Sequence, residues 1–173
     1  RHTCNEEHRN RTLEEQSVNE MEAHEFFHHA GVTKEGLNRL GKMANLFEEC
    51  KATFGGMHAQ VQERESEFAK RALATLLYGA AAYMRLDGNY RMQGYDNIAP
   101  TVLTLSDTLG ILSFDESNGW KLNIDDETKI QSFWLQVGFY IDWCASAYER
   151  AEMAKPEDVE KLARNAAGTV VKV

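Results

Sequence analysis

Cysteine, proline and long apolar runs are all scarce in this chain, and each shortage removes a class of protein. Three cysteines in 173 residues, Cys4, Cys50 and Cys144, are too few for a disulfide scaffold and leave at most one internal pair. Two prolines and twelve glycines give few turn signals, which turns the expectation away from an all-β fold and toward helices. The longest greasy stretch, Ala69 to Met84, contains Lys70, Arg71 and Gly79 and does not reach the 18 or more apolar residues of a membrane span. Positive charge is short as well: 19 Lys and Arg stand against 27 Asp and Glu, a net charge of −8, which disfavours nucleic acid or an anionic membrane as the main partner.

What is present is the composition of one globular domain, 43% apolar and 27% charged, with no metal or disulfide required to complete a core. Residues 1–12 are read as a flexible arm and 13–173 as a single helical domain. Apolar positions recur at steps of three and four almost throughout, predicting helices near 12–30, 33–53, 58–86, 98–109, 126–152 and 156–167. Thr33 and Asp125 or Asp126 are placed to cap helix starts, Gly55-Gly56 to end the second helix, and Gly110 to end the fourth. The period shortens to two at Trp120, Leu122 and Ile124, so a small β-hairpin is expected near 111–124 across the Asn118-Gly119 turn signal. The expected fold is all-α, an antiparallel bundle of five or six helices with that one hairpin. The 58–86 helix, rich in small side chains, is the expected central helix. The fifth helix should place Phe133, Trp134, Val137 and Ile141 inside.

One constellation carries possible chemistry. His24-Glu25-Phe26-Phe27-His28 satisfies H-E-x-x-H, in which two imidazoles one helical turn apart hold zinc and the glutamate activates bound water. Over these five residues it resembles the zincin metalloprotease motif. On a helical wheel His24 and His28 fall in the apolar arc with Glu20 beside them, so His24, His28 and Glu20 are the candidate metal ligands. A carboxylate from the third or fifth helix would complete the set, and Glu25 would be the catalytic base if the protein were an enzyme. Glu22 in the flank, and the lack of a downstream H-x-x-G-x-x-H, argue against catalysis. Glu25 to His28 also fits the E-x-x-H of dimetal bundles, but no later helix supplies the second copy such a site requires.

Phosphate loops, dinucleotide fingerprints, nucleophile elbows and C-x-x-C pairs are missing. The leading expectation is therefore a non-catalytic helical module that binds another protein, of the effector or immunity kind, with no cofactor. Tyr90, Arg91 and Tyr95, in the loop after the third helix, are its candidate recognition residues. The alternatives are a small-ligand sensor or carrier with a pocket formed by Trp134, Phe139, Tyr140 and Trp143, or a metal-binding protein or zinc hydrolase centred on His24 and His28. Cys50 and Cys144 both fall on core stripes, either as buried thiols or as one disulfide. The start at Arg1, with the Asn10-Arg11-Thr12 sequon, leans the compartment toward the secreted or periplasmic side without deciding it.

Overall fold

A computed structural model describes residues 21–62, 66–85, 98–117, 119–159 and 161. The 1–12 arm, Glu20 and the Tyr90–Tyr95 loop lie outside the described residues. The fold is an all-α bundle: α1 (21–29), α2 (Lys34–Leu40), a 3₁₀ turn (Gly41–Met43), α3 (Ala44–Gln62), α4 (Ser66–Arg85), α5 (Ile98–Thr108), α6 (Glu127–Ala145) and α7 (Ala147–Met153). A further helical turn starts at Pro156. Between α5 and α6 a two-stranded antiparallel sheet pairs β1 (Leu112–Asp115) with β2 (Gly119–Leu122).

The caps form where the sequence provides them. Thr33 accepts from the Gly36 amide and Asp126 from the Lys129 amide, each satisfying an orphan N–H of a first turn. Gly110, at φ 65°, leads the chain out of α5 in a conformation a side chain disfavours.

The helices are more divided than their periodicity predicts. The expected 33–53 helix breaks at Gly41, whose φ of 53° cannot continue an α-helix. The expected 126–152 helix breaks at Ser146, where the Ser146 hydroxyl and the Arg150 guanidinium both donate to the Trp143 carbonyl. Gly55-Gly56 ends nothing: α3 runs through it to Gln62, and the helix expected from residue 58 begins as α4 at Ser66. A Cβ on Gly55 would lie 2.3 Å from Cγ of Phe27, so that glycine is a slot for a ring from α1. A mid-helix glycine costs about 1 kcal/mol relative to alanine, and the packing it admits offsets that cost.

The centre lies between α3 and α6, which share the most extensive interhelical contact, rather than along the 58–86 segment. Phe47, Cys50 and Phe54 of α3 meet Phe133, Trp134, Val137, Ile141 and Cys144 of α6, all buried. Trp134 also donates its indole N–H to the Ala69 carbonyl at 3.1 Å, tying α6 to α4. The opposite face of α6 is not internal, because Leu135 and Phe139 are exposed. Cys50 and Cys144 are both buried and form no disulfide.

At one end α2 packs on α7 so closely that a Cβ on Gly36 would lie 2.6 Å from the Tyr148 carbonyl oxygen. Arg39 of α2 donates to the carbonyls of Ala151, Glu152 and Ala154, covering the C-terminal groups of α7 that have no helical partner. Thr33 donates to the Glu152 carboxylate across the same seam.

Candidate functional site

The register of α1 puts His24 and His28 one turn apart on the side facing α3, and both side chains are largely covered. Their Nε2 atoms are 3.1 Å apart and the rings meet edge to face, with centroids 4.8 Å apart. The carboxylates beside them come from α3. Glu48 accepts from His28 Nδ1 at 3.3 Å, and Glu49 Oε2 lies 3.8 Å from His24 Nε2. A carboxylate oxygen of Glu25 lies within 4.8 Å of a ring nitrogen of each histidine. Burial, and then the neighbouring His28, hold the His24 imidazole below its ordinary pKa, against the pull of Glu49 and Glu25.

Lys51 holds this arrangement together from underneath. Its side chain is 0% exposed, and its ammonium donates to the His28 and Ala30 carbonyls at 3.1 and 2.8 Å and to Glu48 Oε1 at 3.2 Å. The cation thus satisfies two carbonyls at the C-terminal end of α1, where a positive charge opposes the helix dipole, while orienting the carboxylate that orients His28. Burial holds the Lys51 pKa below its ordinary value, and Glu48 offsets only part of that lowering. The aromatic ring of Tyr148 closes the other side, 5.0 Å from the ammonium.

The carboxylates therefore come from the segment predicted as the second helix, not from the third or fifth. Glu48 and Glu49 escape a sequence reading because nothing in Phe47-Glu48-Glu49-Cys50 distinguishes them from a solvated pair beside an apolar stripe. Their signal would have been Lys51, a charge in register with the core positions Ala44 and Phe47. Trp134 and Phe139 line an open cavity of about 820 Å³ with His58, Lys70, Glu127 and Asp142. Tyr140 and Trp143 do not join them: those rings stack on each other at 6.1 Å and contact Phe54 and Phe47.

The hairpin forms a second surface. Its register pairs Phe114 with Trp120 and Leu112 with Leu122, which places all four on one face. The base is anchored by buried Ile111, whose carbonyl accepts from the Asn123 amide at 2.7 Å. Beyond that anchor the aromatic pair stands in solvent, Phe114 60% and Trp120 68% exposed, with rings 5.2 Å apart.

No protein-family model, curated protein or solved structure matches the chain. No helix among the described residues is long and apolar enough to cross a membrane.

Proposed function

We propose that the protein is an interaction module that docks another protein through the open face of the β1–β2 hairpin. The observation that supports this reading is the cross-strand pair Phe114–Trp120, whose rings pack edge to face on each other and are both largely exposed. A two-stranded hairpin is marginal alone, and an aromatic pair in water at its tip gains little until a partner covers it. Exposed Leu122 extends the patch, and Asp115 and Glu116 at the turn and Asp125 at the base put acidic groups around it. The complementary surface is an apolar depression rimmed by Lys and Arg, with Trp120 as the anchor.

Affinity capture from the source cells, run in parallel with wild type and a Phe114→Ala, Trp120→Ala double variant, tests this reading. A protein retained by wild type, lost from the double variant, released by rising salt and cross-linked through a photoreactive residue at position 114 is the expected result. Equal retention by both baits overturns the assignment to the hairpin. A concentration-dependent doubling of mass in sedimentation, abolished in the double variant, would assign the face to a second copy instead.

A further inference from the structure

The hydrogen bonds around His24 and His28 leave one carboxylate oxygen without a partner. Glu48 is an acceptor, so the proton on the His28 side is on Nδ1, and the neutral ring carries its lone pair on Nε2, toward His24. A single N–H from His24 can satisfy that lone pair. It then leaves Glu49 Oε2, an anionic oxygen shielded from solvent, without a hydrogen-bond partner 3.8 Å from the same nitrogen. An uncompensated carboxylate oxygen in that position is costly.

Both features are accounted for together by a bound metal ion. With metal–nitrogen bonds of about 2.0–2.1 Å, two imidazoles on a tetrahedral centre have nitrogens about 3.3 Å apart, close to the separation found here. The remaining requirement is a carboxylate oxygen, and two are within reach: unpaired Glu49 Oε2 lies 3.8 Å from His24 Nε2, and Glu25 brings an oxygen within 4.8 Å of a ring nitrogen of each histidine. The carboxylate on the far nitrogen of His28, itself held by buried Lys51, is the outer-shell partner that fixes tautomer and ring orientation in metal sites.

We propose that His24 Nε2, His28 Nε2 and a Glu49 carboxylate oxygen bind one divalent transition-metal ion of the zinc class, with Glu48 and Lys51 as the positioning pair behind His28. The donor set is borderline-soft nitrogen with one hard oxygen, which suits Zn²⁺ and disfavours Mg²⁺ and Ca²⁺. Three protein donors leave one tetrahedral position open. Exposed Glu25, with an oxygen within 4.8 Å of a ring nitrogen of each histidine, is the competing carboxylate for this centre. The site draws on α1 and α3 alone and is independent of the hairpin.

Isothermal titration of Zn²⁺ into the full, tag-free, chelator-stripped chain should show one equivalent bound, and Mg²⁺ should give no heat. Co²⁺ in its place should give the intense visible bands of tetrahedral coordination. Glu49→Gln, which preserves shape, should lose those bands. Glu48→Gln should keep the stoichiometry and weaken binding by about 10- to 100-fold. Loss of the bands on Glu25→Gln with Glu49→Gln unaffected overturns Glu49 as the third ligand in favour of Glu25. Absence of Zn²⁺ binding, or binding unchanged in the His24→Ala, His28→Ala double variant, overturns the site. Loss of the Co²⁺ bands on Glu20→Gln with Glu49→Gln unaffected overturns the assignment of Glu49 as third ligand. Because Glu49→Gln and Glu48→Gln are isosteric, an unchanged far-ultraviolet spectrum separates lost coordination from lost folding.

Discussion

Phe27 occupies the space that any side chain at Gly55 would fill, its ring carbons lying 2.3–2.7 Å from where that Cβ would stand. The contact seats α1 on α3 and so sets the distance from the two histidines to Glu48 and Glu49. Gly55→Ala should destabilise the protein by about 1–3 kcal/mol, the usual cost of overpacking, despite alanine's better helix propensity. Adding Phe27→Ala should recover part of that loss, a coupling that urea unfolding of the double-mutant cycle measures. Strict additivity would show that the two residues do not compete for the same space.

Phe133 is fully buried where α6 meets the rest of the core. Phe133→Ala should therefore cost about 3–5 kcal/mol in denaturant unfolding. A loss below about 1 kcal/mol would mean the cavity collapses at no cost, which a close-packed interior does not allow.

Lys51→Met keeps most of the side chain's length and removes its charge. The His28 and Ala30 carbonyls and Glu48 then lose their shared donor inside the protein, so stability should fall by about 3–5 kcal/mol at neutral pH. A methionine variant as stable as wild type would show that water reaches the ammonium position.

His58 lies along the cavity wall, its Nε2 3.1 Å from where a Cβ on Gly138 would stand. Burial lowers its pKa from 6.5, partly offset by Asp142 and a hydrogen bond at the Trp134 backbone. Below 6.5 the unfolded chain takes up this proton before the folded one does. The stabilisation is therefore complete above the unfolded value and is lost as pH falls through it. Urea midpoints between pH 8 and 5 should decline, and His58→Gln should flatten part of that decline; an unchanged slope would assign it to other groups.

Burial pushes the Cys50 thiol up to about 12 and also raises that of Cys144, so neither forms appreciable thiolate at neutral pH. In a Cys4→Ser variant, alkylation of both thiols should be slow in buffer and fast in urea. Prompt native-state labelling would show that the α3–α6 interface opens locally.

Much of this architecture was legible in the chain because it depends on neighbours a few residues apart. Helical periodicity, the caps at Thr33 and Asp126, the stop at Gly110 and the hairpin at 111–124 follow from local stereochemistry. The pairing of His24 with His28 is equally local, one turn of helix apart. Tertiary structure decided what those elements meet. Gly55-Gly56 carries a local stop signal, yet α3 continues through it because Phe27, 28 residues earlier in the chain, packs into the gap. Likewise Glu48, Glu49 and Lys51 became part of the histidine cluster only when α1 folded back onto α3, since no periodicity records which carboxylate a distant imidazole will face. Short-range sterics fixed the elements, whereas the choice of partners rested on packing and desolvation, which act through space and leave no spacing in the sequence.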